Sequence, residues 1–540
     1  MKYKWLFIIL FLGLGLFFRI WQIEKSPYTL GFDETALGYN AYSLMLTGRD
    51  EHGFKYPISL KSFGDYKPAM YAYLTIPFIK LFGLNNLSVR MVSALSGVLL
   101  ALMIYLILGI FVKNEKLRLF GMVLALMQPW SMHFSRVALE TNLSTMFFTT
   151  GMYFYLINRQ KYKLSRFVLY TVFFILSIYS YHGARVAVPL FLIFMQLDPI
   201  NWFIKSKKIE INWKEILSIG IILLLYIPIF MNASASSVLT RYRIENFFKA
   251  YTPFAPKELL NIPFSKIYYL IGMLSGRLWA YFSPINWGGR FYIWIRQSVT
   301  YVPEFGMLGW LESLTFILGI IIFIKNISKE KYRLFVYWVV AGLAPAAATW
   351  NWFHTLRSLN AIAAIEVISF LGLFFLFKKS NIVLKIGLIA LLFLQFIFII
   401  NNEISYSYWE THGDFQPGGF KESVPILSKL MDKYDQVIVD SPQAQSYIFI
   451  LYYYKIDPRI VQKEGYKRIK ADERGNWNVD FGKFKFRKII WNTDKNLKKT
   501  ILWVSPGITP DEVRSVKGAT NYYTDGAMKE YKSSQIITLD

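Results

Sequence analysis

Between Trp5 and Asn401 the sequence is a succession of apolar runs parted by short basic clusters. An α-helix rises about 1.5 Å per residue, so about 20 mostly apolar residues cross a hydrocarbon core of roughly 30 Å. A backbone in lipid must satisfy its own hydrogen bonds, so runs of this length are read as helices. The runs at 5–23, 88–112, 117–134, 141–157, 166–183, 185–200, 214–231, 307–325, 332–350, 357–378 and 382–401 predict about eleven transmembrane helices. Composition agrees with a bilayer: 54% of residues are hydrophobic, 18% aromatic, and the mean hydropathy is +0.33.

Charge then sets an orientation. The chain carries 60 basic against 35 acidic side chains, a net +25. Such an excess would suit nucleic acid, but many of the cations lie in clusters between apolar runs, the pattern of cytoplasmic loops. No nucleic-acid partner is therefore predicted. Lys2 and Lys4 put the N-terminus in the cytoplasm, and the clusters Lys113 to Arg118, Arg159 to Arg166, Lys205 to Lys214, Lys325 to Arg333 and Lys378 to Lys385 then all fall on the same side. The 16 Trp, 36 Tyr and 46 Phe fit interfacial belts. There is no Cys, which excludes disulfides and thiol ligands. The first apolar run, from Trp5 to Trp21, lacks a small-residue cleavage pattern and is expected to be a retained helix. The prediction is a multi-pass protein of a cell membrane, in contact with membrane lipids.

This topology turns three stretches outward: a first loop at 24–87, a long loop at 232–306 and a tail at 402–540. Residues 1–401 would form a transmembrane domain and 402–540 a small extracytoplasmic α/β domain, with short strands expected at QVIVDS (436–441), SYIFILYYYK (446–455), RKIIWN (487–492) and TILWVS (500–505). In the first loop, KPAMYAYLTIPFIKLFG from Lys67 reads as interfacial helix lying on the membrane, with a further full span at 69–83 as the alternative. The long loop sets Arg241, Arg243, Arg277, Arg290 and Arg296 among aromatics, a composition suited to a lid over a lipid phosphate and equally to a surface-lying amphipathic stretch.

Candidate chemistry concentrates in GFDETALGYNAYSLMLTGRDEHG, from Gly31 to Gly53, where Asp33-Glu34 and Asp50-Glu51 follow directly on the first apolar run. A sugar held on a polyprenyl phosphate suits carboxylates at such a depth: its lipid lies in the bilayer, its phosphate at the interface, and its sugar projects outward. Phosphate is already a stable leaving anion, so its displacement needs positive charge and a base for the acceptor hydroxyl. Asp33 is the candidate base, with Glu34 beside it to bind the acceptor or orient the site; either carboxylate would also serve as a cap for the helix starting there. Asp50, Glu51 and His52 read as a solvated turn, since three adjacent side chains seldom converge on one ion. HFSRVALETN brings His133, Arg136 and Glu140 to an outer turn, where Arg136 and Glu140 are also spaced as a helical ion pair. YSYHGARVAVP and FHTLRSLNA bring His182 with Arg185, and His354 with Arg357, to two further outer turns. An Arg fork matches phosphate oxygens. Snorkelling explains one such Arg easily, and a repeated His-x-x-Arg less well. Lys67 and Arg90 add to the outward positive field, or anchor helix ends. Glu312 and Glu366 lie inside expected spans, where a hydrogen bond within the bundle accounts for them.

The acidic pair, the phrase SFGDYKPAMYAYLTIPFIKLFGLNNLSVR from Ser62 to Arg90, and the later SRVALE, YHGARVAVP and HTLRSLNA resemble bacterial family 39 glycosyltransferases of the GT-C fold. These are related to protein O-mannosyltransferases and to the aminoarabinose transferases of lipid A. The resemblance covers about residues 1–400 and is weaker in the tail. It implies a polyprenyl-phosphate sugar donor, an inverting transfer outside the cytoplasmic membrane, and the first acid of the pair, Asp33, as the base. It further implies that Arg90 stabilises the first-loop site and that Glu140 is a second outer acid near the acceptor. Arg136, His182, Arg185, His354 and Arg357 are not aligned one by one with the family's phosphate-binding residues. The acceptor is expected to be a cell-envelope glycan, lipid or protein; no trefoil repeat is present to favour protein. No cofactor is required, and no ligand spacing demands a metal, although a divalent cation is compatible with the chemistry. The rival reading is a transporter or flippase of lipid-linked sugars, which would share this topology without needing an outward base.

Overall fold

The computed structural model describes residues 4–27, 29–63, 65–205, 213–231, 276, 306–349, 354–406, 420–440, 446–464, 467–470, 477–504, 509–525 and 532–540. The long loop 232–306, with the five arginines named above, lies outside the described residues except at positions 276 and 306. In chain order the helices up to residue 401 are α1 Lys4–Ile20, α2 Phe32–Thr47, α3 Met70–Phe82, α4 Asn86–Leu108, α5 Glu115–Met127, α6 Pro129–Ser135, α7 Glu140–Gln160, α8 Leu164–Ser180, α9 Ala184–Leu197, α10 Pro199–Lys205, α11 Trp213–Met231, α12 Trp310–Lys325, α13 Glu330–Ala347, α14 Thr355–Lys379 and α15 Ile382–Asn401. Each apolar run expected to span falls largely on helix, 185–200 being broken at Asp198 and position 350 lying outside the described residues. The run at 117–134 is interrupted at Gln128, where Pro129 starts a new helix because proline is favoured at a first helical position. Among the described residues, four helical stretches are long and apolar enough to cross a membrane by length and composition: Asn86–Leu108, Ala184–Ile204, Thr355–Lys379 and Ile382–Ile404. This is a multi-pass helical membrane protein.

Contacts divide the chain into two compact units, Met1–Arg19 with Ser93–Asn401, and Ile20–Val92 with Asn402–Asp540. In the first unit, α12, α13 and α14 approach closely through small residues, as helices in lipid do. A Cβ at Gly319 of α12 would run into the Ile368 carbonyl of α14, so glycine is required there. Buried acids find partners inside the bundle: Glu366 Oε1 accepts from Trp130 Nε1 at 2.8 Å and Glu312 Oε2 from Gln395 Nε2 at 2.9 Å. The ends that carry the basic clusters are tied by ion pairs. Arg333 grips both oxygens of Asp198 at 2.9 Å, and Tyr337 Oη donates to the same carboxylate at 2.7 Å. Arg159 bonds Glu215 at 2.6 Å and Glu330 at 2.7 Å.

The second unit joins the first loop to the tail. After α2 the chain forms a hairpin, β1 Ser59–Ser62 with β2 Asp65–Pro68. Helix α3 follows; its 13 residues rise about 20 Å, short of a bilayer core. The tail contributes α16 Phe420–Leu430, β3 Gln436–Val439, α17 Tyr447–Tyr453, α18 Pro458–Glu464, β4 Lys467–Lys470, β5 Trp477–Asp480, β6 Phe484–Phe486, α19 Trp491–Asp494, β7 Thr500–Val504, α20 Pro510–Arg514, β8 Ala519–Asp525 and β9 Lys532–Leu539. Its main sheet has the order β6-β3-β7-β9-β8, with β3 parallel to β6 and β7, and β9 antiparallel to β7 and β8. Ile438, Leu502, Val504, Val513, Ile537 and Leu539 form a core beside it.

Two expected strands are corrected. SYIFILYYYK is the helix α17, and residues 487–490 are not a strand, the segment running on into α19. A short apolar run without alternation fits a helix buried all round as well as a strand, and Tyr447 to Tyr452 are all buried.

Gly319→Val should lower the melting temperature of the solubilised protein, corresponding to about 1–3 kcal/mol of overpacking. Gly220→Val in α11, where a Cβ meets nothing within 4 Å, is the matched control and should leave it nearly unchanged.

Candidate active site

Helix α2 begins where Gly31 stands extended before Phe32, and it ends at Gly48, whose φ of 65° suits glycine. Its first turn carries Asp33 and Glu34, on the side of the helix dipole that favours anions. The two acids meet opposite fates. Glu34 is wholly buried: its Oε2 accepts the Gly31 N–H at 2.9 Å and its Oε1 the Arg90 Nε at 3.1 Å. Arg90, equally buried, donates onward to the carbonyls of Ile23, Pro27 and Thr29 at 2.9, 2.6 and 2.8 Å. The guanidinium thus ties the chain entering α2 to the helix itself. Asp33, one residue earlier, turns outward with its side chain 58% exposed and bonds Lys67 Nζ, whose side chain is only 7% exposed. Lys67 comes from β2, opposite Leu60 in the hairpin, and its ammonium lies 5.0 Å from the Phe63 ring centroid. An outward carboxylate beside a sheltered cation, on a braced helix end, can accept a proton from a hydroxyl.

The second acidic cluster is not the solvated turn expected from sequence. Asp50 and Glu51 are buried and His52 is nearly so. Asp50 Oδ1 accepts the N–H groups of His52 and Phe54 at 3.0 and 2.9 Å, and Glu51 exchanges two bonds with Asn40 of α2. Burial raises the Asp50 carboxyl above its ordinary range, against the pull of these N–H donors. Among the described residues no group of three or more His, Asp or Glu is placed to hold a metal ion.

The remaining candidates belong to the first unit. Arg136 ends α6 and Glu140 begins α7, so they do not pair along one helix; Arg136 donates to the carbonyls of Phe18 and Arg19 at 2.8 and 3.2 Å. Glu140 is buried on the first turn of α7. His182 Nδ1 lies 2.8 Å from Arg185, on the first turn of α9. His354 precedes α14 and Arg357 lies on its first turn. Burial, then the Arg357 charge, pushes the His354 imidazole down to about 3, so it is neutral at physiological pH. Gly183 adjoins Pro345 in the last turn of α13, and Gly342 of α13 packs on Asn360 and Ala361 of α14. Both His-x-x-Arg phrases therefore lie at the same end of α9, α13 and α14. Sequence reasoning missed Phe63 and the tail residues that reach α2. A pairing such as Lys67 with Asp33, 34 positions apart, leaves no local signature.

A sequence model described as the dolichyl-phosphate-mannose-protein mannosyltransferase family matches residues 66–231. No curated protein sequence matches the chain. ArnT from Cupriavidus metallidurans, crystallised with undecaprenyl phosphate, is similar in structure with a TM-score of 0.55 at 11% identity, over 100% of this chain and 98% of that one. The oligosaccharyltransferase of Archaeoglobus fulgidus, tethered to an acceptor peptide, gives a TM-score of 0.49 at 14% identity, over 84% of this chain and 63% of that longer one. At such identity the ArnT likeness is one of fold. Together with the family match over residues 66–231, it indicates a glycosyltransferase with the GT-C fold.

Glu34→Ala should cost about 3–5 kcal/mol, because it strands the buried Arg90 guanidinium; thermal unfolding of Glu34→Ala against Glu34→Leu/Arg90→Met, which removes both charges and should recover part of the loss, checks this. For Asp50, a carboxyl raised by folding binds its proton more tightly in the native state, so stability falls as pH rises from about 4, the unfolded value, through the folded one. Asp50→Asn keeps the Oδ1 acceptor. It should raise the melting temperature at pH 7 and give no gain below about pH 4.

Proposed function

We propose that this chain transfers a sugar from a polyprenyl phosphate to an acceptor hydroxyl at the outer face of a cell membrane. The observation that carries the reading is the Asp33–Lys67 pair: an exposed carboxylate over a sheltered cation, on a helix end braced by Glu34 and Arg90. In this scheme the acceptor oxygen attacks the anomeric carbon as the bond to the phosphate oxygen breaks. The hydroxyl proton passes to Asp33, and the polyprenyl phosphate departs with the electron pair. One in-line displacement inverts the anomeric centre. Glu34 and Arg90 act here as positioning residues. The lipid-phosphate donor is in keeping with the undecaprenyl phosphate bound by ArnT.

His182, Arg185, His354 and Arg357 form the candidate group for the donor phosphate, since two guanidinium groups at neighbouring helix starts favour an anion. Glu140 is assigned to the acceptor side. Arg136, bonded to the end of α1, is assigned to holding that helix. The finer topology is part of the proposal: about eleven spans within residues 1–401, a cytoplasmic N-terminus, and the loops 24–87 and 232–306 together with residues 402–540 outside.

Purified protein, a membrane extract as acceptor source and a panel of radiolabelled polyprenyl-phosphate hexoses and pentoses test the reading. Wild type should move label from one donor, and Asp33→Asn should reduce transfer at least about 100-fold, the scale of lost general-base catalysis, with an unchanged melting temperature. Retained turnover in Asp33→Asn removes the base. Labelled lipid crossing liposome membranes without transfer replaces the enzyme by a flippase.

A further inference from the structure

We propose that the C-terminal segment is a working part of the Asp33 site: Tyr447 holds Phe63, and Phe63 holds Lys67 against the candidate base. The inference rests on the transferase reading and adds a role for residues 402–540 that the reading leaves open.

Phe63, in the turn between β1 and β2, has a φ of 52°. A bulky side chain in this left-handed region is disfavoured, a cost that glycine or asparagine would largely avoid. Strain of this kind persists where surroundings over-determine it, and it gathers at functional sites. The surroundings of Phe63 are specific. Its ring takes the Lys67 ammonium at 5.0 Å, meets Phe32 of α2 edge-on at 6.4 Å, and meets Tyr447 of α17 edge-on at 6.1 Å.

The rings continue into the tail. Phe32 lies 4.7 Å from Phe449, which lies 5.2 Å from Phe420, which lies 4.7 Å from Trp503 in β7. An aromatic series therefore runs from the tail sheet to the hairpin tip, with Tyr447 almost wholly buried. A second tether fixes the far end of α2: Gln462 Nε2 donates to Ser43 Oγ at 3.0 Å, Thr47 Oγ1 at 3.1 Å and the Asp50 carbonyl at 2.9 Å. An aromatic face attracts a cation and shelters it from water. A flexible lysine confined in this way meets Asp33 in one arrangement, which spares the entropy of ordering it at each turnover. Tyr447 and Phe63 are positioning residues that act through Lys67.

The test reads Lys67 directly, in the full chain. Limited acetylation with sulfo-NHS-acetate, followed by peptide mass spectrometry, compares Lys67 with the exposed Lys55 of the same loop. In wild type Lys67 should react at least about 10-fold more slowly, the scale of a sheltered cation–π contact. Tyr447→Ala should close most of the gap, and so should Phe63→Asn, which suits the left-handed turn and removes the ring. Tyr447→Phe should preserve it. Ile537→Ala, in the tail core away from the rings, should lower the melting temperature and preserve the gap. With the donor identified by the transfer panel, Tyr447→Ala and Phe63→Asn should lower kcat at least about 10-fold with KM within about 2-fold, the pattern of lost positioning without lost binding. An unchanged Lys67 to Lys55 ratio in both variants would overturn the proposal, as would a closed gap with kcat intact. Absence of transfer by wild type from every donor would instead overturn the transferase reading, and the acetylation result tells the two failures apart.

Discussion

The buried pair of Glu34 with Arg90 is the interaction on which the second unit depends. A guanidinium removed from water is stable only when each of its donors finds an acceptor in place, and Arg90 finds them in one carboxylate and three carbonyls drawn from residues 23–34. That stretch is the approach to α2. Because the same carboxylate accepts the Gly31 N–H, the start of the helix, the path into it and Arg90 are fixed together. Asp33 needs no contact of its own to be aimed. Its direction follows from the helical step of roughly 100° between it and its buried neighbour.

The first unit uses charge differently. At the ends bearing its basic clusters, Arg333 with Asp198 and Arg159 with Glu215 and Glu330 bind helices distant in sequence. Within the bundle, Glu312 and Glu366 are met by an amide and an indole N–H. At the end that bears His182 and His354, the arginines lie on first turns of helices, where the dipole already favours an anion. Opposite ends of α9 and α13 thus differ in content: Arg333 pairs with Asp198 at one, and the two His-x-x-Arg phrases gather at the other.

What was legible in the sequence followed from rules that act over short spans. Helix positions in the first 401 residues were visible because lipid allows few alternatives to a helix for a long apolar run. Strands β3 and β7 were visible from their apolar, β-branched content. Asp33 stood out as an acid just past an apolar run. The tail helix α17 was misread because SYIFILYYYK has neither helical nor strand periodicity, and burial on all sides decided its form. The burial of Glu51 depended on Asn40, 11 residues before it, and the hairpin β1–β2 on a turn held by tertiary contacts. Phe63 is the clearest case: an aromatic residue in a left-handed turn contradicts local preference, so only its neighbours in space explain it.

The joining of the first loop to the tail has a consequence for how the molecule is made. Tyr39 in α2 bonds a carbonyl 417 positions later, and Gln462 bonds the Asp50 carbonyl 412 positions before it. Contacts so far apart in sequence form late, because the entropy of closing the intervening chain must be met before they stabilise anything. The spans between can pack while α2 still lacks its aromatic support. Assembly of the second unit then awaits synthesis of the tail, and a chain interrupted before residue 447 would lack the rings that meet Phe32 and Phe63.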